Sequence, residues 1–362
     1  MEPKGKRVLV AMSGGVDSSV AAYLLKKDGY DVVGATLQIW PDDPDETVRE
    51  DVGCCSLSAV DDARRVAEVL DIPYYVLNFK DIFDTSVIAP FVEEYKKGRT
   101  PNPCILCNWR VKFEAMLDKA LSMGFDYLAT GHYAKVVEKN GVYSLLYDAE
   151  NKKDQTYALY RLTQHQLSHL LLPVANIEKE KIRSIAKEAG LPVAQKKDSQ
   201  EICFVKDNDY ASFIRDYTKE EPVQGDFVDL EGNILGKHKG IIHYTIGQRK
   251  GIGLAAESPY YVVRIETDTR RVVLGENKDL FEKSLQADQL HWIQKEPLEY
   301  PISLQAKIRY SAKPVPATLD KEENGIAFLT FLEPVRAITP GQSVVFYQDE
   351  LVLGGGIIRD FE

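Results

Sequence analysis

No apolar run in this chain of 362 residues approaches the roughly 18 that a membrane span requires, so the sequence offers no candidate spanning helix. The basic start, Met1 to Arg7, leads straight into a short strand-like stretch and not into the apolar core of a signal peptide, so a cytoplasmic location is the expectation. Cysteine is scarce: there are five, an odd number, and two are the vicinal Cys54 and Cys55. That pattern excludes a secreted disulfide scaffold and leaves catalysis, metal binding or simple burial. Excess positive charge is missing as well, with 45 Lys and Arg against 55 Asp and Glu. A net charge of -10 argues against a dedicated nucleic-acid-binding domain. A local basic surface can still hide in that sum. Residues 95–112 hold Lys96, Lys97, Arg99, Arg110 and Lys112 without one acid, although a solvated charged face reads the same way. Internal repeats and low-complexity tracts are absent.

What is present divides into two textures. Short apolar strands alternate with helical spacing over the first half: Val8-Leu9-Val10-Ala11, a helix over 18–27, a strand over 32–40, a helix over 59–70 with Ser56 or Ser58 as a cap, and a strand over 74–77. Helices over 82–97 and 109–123 follow, with Tyr127-Leu128-Ala129 as a strand. Such alternation needs crossover helices on both faces of a sheet, which predicts an α/β class, a doubly wound parallel sheet. After Cys203 the texture changes to short alternating segments between Gly, Pro and Asn, including strands at 261–264, 302–310, 326–331 and 343–347. The expected division is a catalytic α/β domain over 1–205, a small central α+β domain over 206–278 and a C-terminal antiparallel β-barrel over 279–362.

Ala11-Met12-Ser13-Gly14-Gly15-Val16-Asp17-Ser18-Ser19 stands where a strand gives way to a helix. Adjacent glycines allow a tight turn that presents N–H groups, and the start of the helix favours an anion. The stretch lacks the Gly-Lys-Ser/Thr ending of the common nucleoside-triphosphate loop, so it predicts a phosphate cradle of another kind. It resembles the PP-loop of the ATP pyrophosphatases. That resemblance implies cleavage of ATP between its α and β phosphates, with Asp17 near Mg2+ and the serines at the departing pyrophosphate. Both amide-forming synthetases and sulfur-inserting enzymes share such a loop.

The second informative stretch is Thr100-Pro101-Asn102-Pro103-Cys104-Ile105-Leu106-Cys107-Asn108, where two prolines lead into a helix. A helix start and the nearby Arg110 and Lys112 would lower the pKa of Cys107. Cys203 follows Lys196 and Lys197. Cys54 and Cys55 read as small buried hydrophobes or as a redox pair. The single C-x-x-C of Cys104 and Cys107 is compatible with a metal site, a redox pair or chance. Zinc would want a fourth ligand beyond Cys203, and none is evident.

Along nearly its whole length the chain resembles the tRNA-specific 2-thiouridylases. The strings that carry this are residues 13–18, 99–108, 129–133, 153–155, 197–199, 202–204, 247–251, 333–335, 339–343 and 353–356, in order and with family-like spacing. The resemblance implies ATP over Ala11, Met12, Ser13, Gly14, Gly15, Val16, Asp17 and Ser18, with Leu37 and Gly131 at the adenosine. It implies Cys107 as nucleophile and Cys203 as carrier of a persulfide. Asn102, Pro103 and Cys104 would border the target base, and His132, Lys153, Asp154, Gln155, Arg309, Tyr310 and Gln342 would contact tRNA. The implied partners are tRNAs for Glu, Gln and Lys, and a sulfur donor such as a cysteine desulfurase or a relay protein. Cys104 departs from relatives that carry aspartate there. With Cys107 and Cys203 it makes a three-cysteine set for which two readings stand, free thiols or a site for an iron–sulfur cluster. The other histidines, His165, His169, His238, His243 and His291, are expected to be structural or solvated. Rival readings are a PP-loop ligase aminating a small molecule and a tRNA-binding protein that senses ATP without chemistry.

Overall fold

The computed structural model describes residues 5–39, 57–197, 202–255, 258–294 and 299–360. Ser56, Cys54, Cys55 and residues 198–201 lie outside the described residues. The chain forms two compact units. One comprises residues 1–88, 104–206 and 350–352, and the other 89–103, 207–349 and 353–362.

The first unit is built on strands β1 (Arg7–Ala11), β2 (Asp31–Gln38), β3 (Tyr74–Asn78), β4 (Tyr127–Ala129) and, beyond a hairpin of β5 (Lys135–Lys139) and β6 (Val142–Leu146), β7 (Leu170–Leu171). The order is β3-β2-β1-β4-β7, with every pairing parallel. Val8, Leu9 and Val10 in β1 are buried, as are six consecutive residues of β2, the mark of strands covered on both faces. Helix α1 (Val16–Lys27) seals one face with Val16, Val20, Ala21, Ala22 and Leu25. The helix Lys179–Glu188 inserts Ile182 and Ala186 into the same core and packs against α1. The expected helix over 59–70 runs from Leu57 to Val69. The β5–β6 hairpin, not anticipated above, turns at Asn140 and Gly141, both at positive φ (54° and 80°), as a two-residue type I′ turn requires.

In the second unit, β8 (Gly225–Val228), β9 (Ile234–His238), β10 (Tyr261–Glu266) and β11 (Arg271–Gly275) form a sheet in the order β10-β11-β8-β9. Phe227, Tyr244, Val262, Val272 and Leu274 make its core. Six further strands follow: β12 (Phe281–Trp292), β13 (Ile302–Lys307), β14 (Val315–Glu323), β15 (Ile326–Arg336), β16 (Ser343–Gln348) and β17 (Leu351–Ile358). Their order is β12-β15-β14-β13-β16-β17, and pairing of β12 with β17 closes the barrel. Closure depends on glycine. Gly354 lies opposite Trp292, and a Cβ there would come within 2.1 Å of the His291 carbonyl oxygen. The expected architecture of a doubly wound parallel sheet, a small α+β region and a C-terminal β-barrel is therefore the observed one.

Candidate active site

The loop after β1 is tied down by its own side chains. Ser13 N donates to Ser18 Oγ at 3.2 Å, and the hydroxyls of Ser18 and Ser19 donate to Gly15 O at 3.2 and 2.8 Å. Gly15 is the N-cap of α1 in extended conformation, and no side chain caps the helix there. The first N–H groups of a twelve-residue helix thus open onto the loop, as an anion cradle requires. Gly14 sits at φ +65°, and a Cβ on it would fall 2.3 Å from Ala59 O. Gly131, just past β4, has no room either: its Cβ would lie 2.5 Å from Ser18 N and 2.7 Å from the Asp17 carbonyl carbon. Leu37 is buried on the neighbouring strand β2. A cradle this close to the backbone fits a polyphosphate.

Asp17, in the first turn of α1, is held from two sides. Lys179 Nζ donates to both of its carboxylate oxygens at 2.8 and 2.7 Å, and the Tyr133 hydroxyl donates to Oδ1 at 2.6 Å. Gln155 in turn fixes Tyr133: its Oε1 accepts from Tyr133 N, and its own N–H donates to Tyr133 O, both at 2.8 Å. No sequence motif assigns a role to Lys179 or Tyr133. Lys179 lies 162 positions from Asp17, so no local pattern could reveal it.

Residues 103–122 are helical throughout, beginning at Pro103 as a proline-led start predicts and π-wound over Cys107–Met116. The start lies six residues before the expected one, so Cys104 occupies the first turn and Cys107 the second. Cys104 is exposed, Cys107 and Cys203 are half-buried, and none of the three is in a disulfide. All three belong to the same unit as the loop. Asn108, buried beside Cys107, donates to Ala158 O at 3.2 Å and accepts from Lys112 Nζ at 3.0 Å. The Trp109 ring carries two guanidinium groups, that of Arg110 at 3.6 Å and that of the buried Arg161 at 4.3 Å. Phe204 anchors the chain after Cys203 by an edge contact with Phe83 at 5.8 Å.

Among the described residues no group of three or more His, Cys, Asp or Glu side chains is gathered to hold a metal ion.

The expected RNA contacts divide in two. Lys153 and Tyr310 are exposed. Asp154 is buried and caps a turn, accepting from Thr156 N and Asp148 N at 3.0 and 3.2 Å, while Arg309 donates to Arg336 O at 3.3 Å. His132 Nδ1 lies 2.8 Å from Thr130 Oγ1 and its ring meets Phe113. Gln342 donates to Thr100 O at 2.6 Å. Much of the basic stretch is paired: Lys96 with Glu220 at 2.9 Å, Lys97 with Glu94 at 3.4 Å, and Arg110 with Glu114 at 2.9 Å. His238 is buried, with Nε2 on Arg270 O and Nδ1 accepting from Gly240 N, each at 3.0 Å. Burial lowers its pKa.

Fold and loop together define a nucleotide enzyme of the HUP class, and a family model described as a tRNA methyl transferase HUP domain matches residues 6–207. A PRC-barrel model of the same series matches 211–276, and an aminomethyltransferase β-barrel model matches 282–358. A tRNA-specific 2-thiouridylase MnmA of Acetivibrio thermocellus is 59% identical over 98% of this chain and 99% of its own. Relatives of the same name from Clostridium perfringens and Clostridioides difficile are 56% and 55% identical, each over 98% of both chains. The chain belongs to the tRNA-specific 2-thiouridylase family of PP-loop enzymes. No described helix is long and apolar enough to cross a membrane.

Proposed function

We propose that the chain replaces the C2 oxygen of the wobble uridine U34 of tRNA with sulfur, at the expense of ATP. The observation that carries this is a built phosphate loop in the same compact unit as Cys107 and Cys203, in a chain of this family. The uridine O2 attacks the α phosphate of ATP, the bond to the β phosphate breaks, and pyrophosphate departs over the loop. A poor leaving group has become AMP. Ala11, Met12, Ser13, Gly14, Gly15, Val16, Asp17 and Ser18 hold the nucleotide, with Leu37 and Gly131 beside the adenosine. Mg2+ would be held by Asp17 together with the phosphates and waters, and would neutralise the charge of the departing pyrophosphate.

Sulfur arrives as a persulfide on Cys203, supplied by a cysteine desulfurase or a relay protein. Either its terminal sulfur attacks C2 and expels AMP, after which the Cys107 thiolate attacks Cys203 Sγ and frees the thiouridine, or Cys107 first releases sulfide that attacks C2. Both routes leave a Cys107–Cys203 disulfide, which an external thiol must reduce. Asn102, Pro103 and Cys104 border the base, and His132, Lys153, Arg309 and Tyr310 face the RNA. Asp154, Gln155 and Gln342, bonded within the fold, shape the backbone that meets it. Cations on loops supply the salt-dependent contacts to phosphate, and an anticodon base is already unpaired. The tRNAs are those for Glu, Gln and Lys.

The test is mass analysis of nucleosides from unmodified tRNA incubated with protein, ATP, Mg2+ and a sulfur source. Wild type forms 2-thiouridine. Cys107→Ser and Cys203→Ser lose it by about a thousandfold or more, as expected for residues that act in the bond-making steps, while tRNA binding is unchanged. Undiminished product in either variant refutes the reading. A protein that binds tRNA and ATP yet makes no product would be the sensing module instead.

A further inference from the structure

We infer that Tyr133 and Lys179 are positioning residues for Asp17, with Gln155 indexing Tyr133, and that the Lys179–Asp17 pair is a charge lock that the nucleotide opens. This rests on the reading of the Ser13–Ser19 loop as the ATP loop.

Asp17 has little freedom left. Its backbone lies so near Gly131 that a Cβ there would fall 2.7 Å from the Asp17 carbonyl carbon, the Tyr133 hydroxyl takes Oδ1, and the Lys179 ammonium bridges both oxygens. Tyr133 cannot drift, because it is 3% exposed and Gln155 engages both its N–H and its carbonyl. Lys179 is delivered by a helix whose Ile182 and Ala186 are locked into the core that α1 shares. The Lys179 side chain is only 15% exposed and that of Asp17 27%, so the pair is screened less than a surface ion pair. Such holding from several sides is what a functional carboxylate needs to keep one orientation.

The pair also carries a consequence for binding. Lys179 bonds both carboxylate oxygens and Tyr133 a third acceptor site, so a divalent cation at Asp17 meets the ammonium charge, and movement of Lys179 away relieves that repulsion. A polyphosphate arriving over the α1 amides attracts that same ammonium. Entry of the metal–nucleotide complex therefore exchanges one ion pair for two, with Lys179 passing to phosphate oxygens and Asp17 to the cation.

Calorimetric titration of the full-length protein with α,β-methylene-ATP, with and without Mg2+, tests this; thermal melts report folding of each variant. Lys179→Gln weakens binding without Mg2+ by about tenfold to a hundredfold, the scale of one lost charged hydrogen bond. It also lowers the Mg2+ concentration that half-saturates the effect of the metal. Lys179→Arg stays within about threefold of wild type, because the charge is kept. Tyr133→Phe binds normally without Mg2+ but loses most of the tightening that Mg2+ brings, a separation that general loosening of the fold would not produce. Equal binding by wild type, Lys179→Gln and Tyr133→Phe under both conditions overturns the lock and leaves the ATP loop standing. No binding by the wild type sinks both.

Discussion

The two units bury polar side chains to different ends. In the first, Ser18, Ser19, Asn108, Asp154 and Arg161 are buried; the two serines bond Gly15 O in the loop, and Asn108 bonds Ala158 O and Lys112 Nζ beside Cys107. In the second, His238, Lys307, Thr339 and Ser343 are buried; His238 and Thr339 bond backbone groups, and Lys307 lies over the Tyr310 ring at 5.6 Å. Polar burial is costly unless it is satisfied, so each unit shows what that cost supports: orientation in one, strand geometry in the other. Changes in the first should therefore alter chemistry more than stability, and changes in the second the reverse.

Gly131→Ala breaks the comparison most severely if it is wrong. The added methyl would press on Ser18 N and the backbone of Asp17, so nucleotide binding should fall by more than about tenfold while the melting transition loses only about 1–3 kcal/mol. Titration with the ATP analogue beside a urea melt reads both; a large loss of stability with intact binding would reverse the assignment.

His238→Ala should do the opposite. Stranding Arg270 O and Gly240 N costs about 1–3 kcal/mol, with analogue binding unchanged. The pH dependence sharpens this. Burial lowers the folded pKa of His238 from 6.5, so the unfolded chain takes up the proton first. Its contribution is fully present above about pH 6.5 and is lost as pH falls toward the folded pKa. His243, lowered by burial too, acts with the same sign. Urea midpoints between pH 8 and 5 should fall less steeply in His238→Gln than in wild type.

The α/β core was legible because Val8-Leu9-Val10 and the glycine turn announce strand and helix within a dozen residues. The barrel was less so. β12 is dominated by polar and charged residues, and Gly354-Gly355-Gly356 reads as a loop until one sees that β17 needs missing side chains to approach β12. Asn140-Gly141 is a hairpin signal, weakened in the sequence by flanking strands that are short and half-exposed. Of the site, whatever lies within one motif was readable. Lys179 was not, because its meaning arises only when two helices pack. Gln155 was readable as important but not for what it touches.

The stem that leads into the cysteine helix is gripped by the far end of the chain. Thr100 N–H donates to Pro340 O, Gln342 reaches Thr100 O, and Arg99 Nε donates to Asp360 at 2.9 Å. A polypeptide released before Pro340 would complete its sheet, its loop and all five cysteines, yet residues 99 and 100 would keep only Glu94 and Thr245 of their partners. A late stop codon in this gene should therefore loosen the stem of the cysteine helix although it removes no residue of the parallel sheet.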